Sequence, residues 1–412
     1  MKTRIRTDQR DASGFTLVEI LVVIVILGVM GGMVVSAVSG VTSSARHART
    51  KNIVAVIDSV IQEQYDSYKY RPLAVEVPDL FKATGTNALK SDEIGREVLA
   101  REAMRVRLMM VRDLQRMELP ERFSDFLNPP VDILAACNPV KIDGTTGVIT
   151  GTRQDPTSRA PLPVSWRGPD NPKRQIYNNR YVSTATVEHQ SAECLYLIMA
   201  TSFVGGTPAI DAIPTSNIGD TDSDGMPEIL DGWGRPLGFV RWPVGYFDPN
   251  GNIDTSATDD FDLFRVDFVN TGTSDAVKAL DVNTSSGYAR ESPWPLRPLI
   301  VSAGDDAEFG IALDPVGSAG TPLPAFNYVD SSSWNRWPID AAHMGVESGG
   351  RTPPSDYYIF ADPYLRRFIA ANDPTATGRS GTARRLPGEV LSATDTSEAA
   401  DNVTNYELQV VK

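Results

Sequence analysis

Between Gly14 and Ser36 the chain carries a single ionisable side chain, Glu19, in an otherwise mainly apolar run. No other feature limits the possible folds as strongly. About 20 apolar residues wound at 1.5 Å per residue make a helix that matches the hydrocarbon thickness of a bilayer. Residues 1–14 are polar and basic: Lys2, Arg4, Arg6 and Arg10 outnumber Asp8 and Asp11. A basic flank stays on the cytoplasmic side of a membrane, which puts everything after the run on the far side. A secretory signal would end in a small-x-small cleavage site after the apolar run. Only Ser36-Ala37-Val38-Ser39 offers a weak version of one, and the small residue at the boundary, Gly14, lies in front of the run. A carboxylate in hydrocarbon costs roughly 2–3 kcal/mol even on lenient insertion scales, so Glu19 needs a cation to meet it.

The segment Gly14-Phe15-Thr16-Leu17-Val18-Glu19-Ile20 resembles the type IV prepilin motif, and the N-terminal helix with two short head segments resembles the pseudopilins of type II secretion, whereas residues 72–180 and much of the tail have no counterpart there. That resemblance implies cleavage after Gly14 by a prepilin peptidase, N-methylation of Phe15 and an assembly role for Glu19. The new amine of Phe15 on one subunit would be the cation that meets Glu19 of its neighbour. Two details depart from the pattern: the leader is longer than the shortest pseudopilin leaders, and Ser36 lies near where a proline often stands. Gly28, Gly31, Gly32 and Gly40 supply either flexibility, since glycine costs about 1 kcal/mol per helical position, or close helix packing.

The helix is expected to run on to about residue 68. Ile53, Val56, Ile57, Val60, Ile61 and Tyr65 recur at helical spacing, with Lys51, Asp58, Gln62 and Glu63 on the other face, and Pro72 ends the pattern. A second helical stretch is read over 91–119. Its Arg101, Arg105, Arg107, Arg112 and Arg116 suit either lipid headgroups or a solvated face paired with Glu97, Glu102, Asp113 and Glu118. Residues 138–180 read as a Pro-, Gly- and Asn-rich surface excursion. A helix within 181–203 would bury Ala192, Leu195, Tyr196 and Met199, and short strands are expected at 237–242, 262–269, 298–303 and 356–361.

The fold class expected is therefore α+β: a long N-terminal helix, half transmembrane and half soluble, packed on a globular head with a small antiparallel sheet and extra helices. The domain reading is a leader at 1–14, a spine helix at 15–70 with its membrane segment at about 15–38, a helical insert at 71–136, the excursion at 137–180, the head at 181–369 and a loose tail at 370–412.

The head carries one acidic motif. Asp220, Asp222, Asp224 and Glu228 occupy positions 1, 3, 5 and 9 of an EF-hand-like spacing, with Gly225 at 6, Met226 at 7 and Asp231 at 12. Alternate oxygen ligands of this kind converge on one hard cation, so calcium is the expected cofactor. A solvated Asp/Gly turn is the simpler reading. Next comes Asp231-Gly232-Trp233-Gly234-Arg235-Pro236, which resembles the D-x-W-G-x-P segment of major pseudopilins. Ser302-Ala303-Gly304-Asp305-Asp306-Ala307 resembles their S-x-G-x-D-G turn, with Ala307 where that family has its second glycine. In that family this turn helps to form a calcium site.

The formal charge of -13 argues against nucleic acid as a main partner, because phosphate binding needs clustered Lys and Arg. Cys137 and Cys194 either form a disulfide in an oxidising compartment or remain separate thiols. No catalytic site is expected: His47, His189 and His343 sit in no metalloprotease pattern, and no nucleophile elbow or phosphate-binding glycine loop occurs. His189 and Glu193, one helical turn apart, read as a surface pair. The resemblance implies a non-enzymatic filament subunit. Its partners would be other pilin-like subunits, the peptidase, an inner-membrane assembly platform and the bilayer. A minor pilin for adhesion or DNA uptake, or a pilin-anchored surface binding module or enzyme, is the alternative.

Overall fold

The computed structural model describes residues 17–73, 104, 107–108, 110–128, 130, 171–246, 259–262, 294–314, 387–391 and 399–408, apart from the side chains of 35, 37 and 39. Gly14, Phe15, Cys137 and the strand expected at 356–361 lie outside these residues.

Helix α1 spans Leu17–Ser67 and passes into a 3-10 turn at Tyr68–Tyr70 just before Pro72. Its 51 residues make a rod about 76 Å long. The rod has two environments. Leu17–Val34 is 0% buried. In the other half Ile53, Val54, Ile57, Val60, Ile61, Tyr65 and Tyr68 are buried under the head, at the spacing the sequence shows.

The head is α+β, as its pattern of elements implied. After a helix α2 across 110–118 come α3 (Phe123–Leu127), α4 (Pro172–Arg180) and α5 (Gln190–Thr201). Hairpin β1–β2 pairs Phe203–Val204 with Thr207–Pro208, and β3–β4 pairs Ile218–Gly219 with Glu228–Ile229. The main sheet is antiparallel, in the order β5 (Gly238–Val240), β6 (Leu299–Ser302), β7 (Val403–Thr404). Both faces of β5 and β6 are covered. Phe239 and Ile300 face the core shared with α1 and α5, while Val240, Leu299 and Val301 form a second cluster with Ile311. Two covered faces are why these strands read as continuous apolar runs without alternation.

The structure departs from the sequence reading in three places. First, α2 lies neither on lipid nor in solvent. Arg112, Asp113, Gln115, Arg116 and Glu118 are all buried. Arg112 pairs with Asp259 at 3.2 Å and Arg116 with Asp113 at 2.7 Å, and Arg116 also reaches the Asp125 carbonyl. Arginine's forked donors let a charged helix be buried when every charge meets an acid or a carbonyl. Second, the excursion contains α4, capped by Asn171, whose side chain accepts from the Lys173 amide, with Pro172 at the first helical position. The strand expected at 262–269 lies, apart from Asp262, outside the described residues. Third, the tail is not loose at its end. Strand β7 completes the sheet, and the following helix α6 (Asn405–Leu408) packs on α1. Asn405 ties them together: its amide donates to Asp58 at 2.7 Å and to the Pro298 carbonyl at 3.0 Å, and its oxygen accepts from the Ile300 amide.

Glu118 anchors the far end of α1. Its carboxylate accepts from Tyr68, Arg71 and Asn171, and its carbonyl accepts from the Tyr177 hydroxyl at 3.0 Å. At the near end the contact is backbone against backbone. A β-carbon on Gly232 would collide with the Arg46 carbonyl and lie 2.9 Å from the Thr50 hydroxyl, which already accepts from the Gly232 amide. Gly232→Ala is therefore expected to push the head off α1 and cost about 1–3 kcal/mol, as overpacking does. A fall in the melting temperature of the full-length protein in detergent would register it; an unchanged melt would mean the contact is loose.

Candidate functional site

Helix α5 and the loop between β3 and β4 meet at a group of five carboxylates. In the loop the chain turns sharply, with Ser223 at φ 62° and Gly225 at φ 101°. The turn folds the acids inward. Asp220 accepts from the amides of Asp224 (3.2 Å) and Gly225 (3.1 Å), and Asp224 accepts from that of Met226 (2.8 Å). Glu228, at the start of β4, is fully buried and accepts from the Thr221 amide and hydroxyl. The segment before α5 clamps the loop from above: the Thr186 amide donates to Asp224 at 2.6 Å and its hydroxyl to Asp222 at 3.0 Å, while Thr184 donates to the Asp224 carbonyl.

The fifth acid is Glu193. It lies on α5 among Ala192, Cys194, Leu195, Leu197 and Ile198, with no exposed surface and with no hydrogen-bond donor for either carboxylate oxygen. The sequence reading of a surface pair with His189 is thus corrected: His189 stands at the N-cap position of α5 with no side-chain capping bond, and Glu193 turns inward toward the loop. Burial, reinforced by repulsion from Asp224, Asp222 and Glu228, pushes its carboxyl up to about 9. Glu228 is raised as well, chiefly by burial. Two sets of oxygens approach within 4.8 Å of one another: Glu193, Asp222 and Asp224 form one, and Asp220, Asp222 and Glu228 the other. These are hard, anionic ligands of the kind calcium takes.

One residue of the sequence motif plays another part. Asp231 is not in the cluster. One of its oxygens accepts from the amides of Trp233 and Arg235, and the other from the Ser302 hydroxyl at 2.6 Å, so it organises the following turn. Met226 is buried in the core beside the loop. Glu193 escaped the sequence motif because it is 27 residues upstream of Asp220. The signal that marks it is chemical: it is the sole Asp, Glu, Lys, Arg or His in the helix sequence QSAECLYLIMAT.

The two head segments singled out in the sequence meet each other beside α1. Pairing of β5 with β6 brings Arg235 to the carbonyls of Gly304 (2.8 Å) and Asp305 (3.3 Å), and the Trp233 indole to the Asp305 carboxylate at 2.8 Å. Asp401, two residues before β7, accepts from the amides of Asp305 and Asp306. Ala307 lies at φ 76°, which explains why a glycine suits that position in the resembling family.

Cys194 is a free thiol buried in the core, and burial raises its pKa well above the usual range. Glu19 lies in the first turn of α1, on the exposed half of the rod. Residues 9–35 match the family model of the prokaryotic N-terminal methylation motif, which is typical of type IV prepilins and pseudopilins. No curated protein matches the chain, and no solved structure does.

Proposed function

We propose that this chain, a type IV pilin-like protein by its methylation motif, is a structural subunit of a type II secretion pseudopilus or a type IV pilus-like filament. The observation that carries the reading is the division of α1. Its second half is buried by the head, while Leu17–Val34 presents an apolar surface that the described residues do not cover. Lipid would cover that surface before assembly and the helices of neighbouring subunits afterwards, because burying it is worth about 25 cal/mol per Å². The leader stays in the cytoplasm and the head lies across the inner membrane. A prepilin peptidase cuts after Gly14, Phe15 is methylated, and its amine pairs with Glu19 of the next subunit to set the axial register. The work is mechanical rather than catalytic. A pseudopilus in particular is supported by the junction of the 231–236 and 302–307 segments against α1.

Within the head, the loop holds calcium through Asp220, Asp222, Asp224 and Glu228. The buried, donorless carboxylate beside it supports the presence of a cation. Asp231 is left out of the ligand set, since both its oxygens serve the turn.

Mass spectrometry of the protein purified from membranes tests the central claim. The expected N-terminus is N-methylated Phe15. A chain that begins at Met1, or one cut after residue 35, would remove the filament assignment.

A further inference from the structure

We propose that the carboxylate cluster is a two-cation site in which Glu193, reaching from helix α5, forms an inner subsite with Asp222 and Asp224, next to an outer subsite of Asp220, Asp222 and Glu228. This deepens the calcium-loop reading and rests on it. The loop motif alone accounts for one ion at the surface. The geometry adds a second set of oxygens on the core side, with Asp222 common to both.

Glu193 itself points to a ligand. A buried carboxylate without a donor is among the costliest groups a protein can hold. Burial is the largest penalty on its charge, and repulsion from Asp224, Asp222 and Glu228 adds to it. Nearby donors do exist, but they are spent on the other acids: the Thr186 amide and hydroxyl hold Asp224 and Asp222, and the Thr221 amide holds Glu228. The inner acids are therefore oriented by hydrogen bonds that leave Glu193 facing their oxygens. One divalent ion among five carboxylates leaves three uncompensated charges; two ions leave one. Asp222, which belongs to both sets of oxygens, is the residue placed to serve both ions. Calcium's tolerance for six to eight oxygens in irregular geometry suits both subsites.

The consequence is structural. The inner ion would fasten the β3–β4 loop to α5, and α5 packs against both β4 and β5. Loading the site would thus brace the head at the point where the loop enters its core.

The test uses full-length protein in detergent, stripped with a chelator and titrated with calcium, with bound metal counted by mass spectrometry of the metal. Wild type is expected to bind two ions per chain, Glu193→Gln one, and Asp222→Ala none. Melting supplies a second readout. In chelator, Glu193→Gln is expected to melt above wild type, because it removes a repelled carboxyl; in calcium it is expected to melt below. A purely packing role for Glu193 would shift the melt in the same direction under both conditions. Two ions in Glu193→Gln, or one ion in both proteins, overturns the inner subsite and leaves the loop reading intact. No binding by wild type overturns both.

Discussion

Arg241→Met is expected to lower the stability of the head by about 3–5 kcal/mol, the cost of removing one partner from a buried ion pair. Arg241 has no exposed surface. Its guanidinium donates to Asp125 at 2.7 Å, to the Leu119 carbonyl at 2.9 Å and toward Glu121 at 3.4 Å, and it stacks 4.2 Å over the Trp242 ring. Asp125 and Glu121 are buried with it, and burial already pushes the Glu121 carboxyl up while Arg241 pulls it down. Methionine fills the space but takes the guanidinium away from both acids. The loss should therefore come from stranded charge rather than from a cavity. A second substitution separates the two causes: adding Asp125→Asn, which keeps the cap over the Glu121 and Arg122 amides, should restore part of the stability. Chemical denaturation of the two variants decides the matter. A single variant within 1 kcal/mol of wild type, or a double variant no better than the single, would show that the pair does not hold the sheet to α2 and α3.

Glu19→Ala is expected to insert in the membrane as wild type does and to reduce filament yield about tenfold or more. The first part follows because the change removes a charge from hydrocarbon and leaves the apolar run intact. The second follows because hydrogen bonds to charged groups contribute about 1.5–3 kcal/mol each, and every 1.4 kcal/mol is a factor of ten in an equilibrium constant. Without the carboxylate, apolar helices would still associate but with no group to fix their stagger. Immunoblots of membrane fractions and electron microscopy of sheared filaments read the two parts separately. Wild-type filament yield would rule out the pairing between Glu19 and the Phe15 amine.

The parts of this protein that were legible in the sequence are those set by local patterning. An apolar run, a flanking basic leader and a 3/4 spacing up to Tyr65 describe α1 almost to its last residue, because a helix is written in contacts between residues three and four apart. Strands β5 and β6 were legible for a similar reason, as short apolar runs between Gly, Pro and Asp. The reading failed where a residue's environment comes from distant chain. The arginines of α2 look solvated until Asp259 and Asp125 arrive to bury them. Strand β7 is two residues long and acquires its identity only by pairing with β6.

The candidate site divides along the same line. The sequence by itself determined a helix long and apolar enough to cross a membrane, with a methylation motif at its start, and an Asp-rich loop with a glycine at its turn. Those features depend on composition and spacing within a few turns of chain. Only the tertiary structure decided that Asp231 belongs to the turn and that Glu193 belongs to the cluster. Carboxylates gather according to distance in space, and the packing of α5 on β4 brings Glu193 within reach of Asp222 and Asp224.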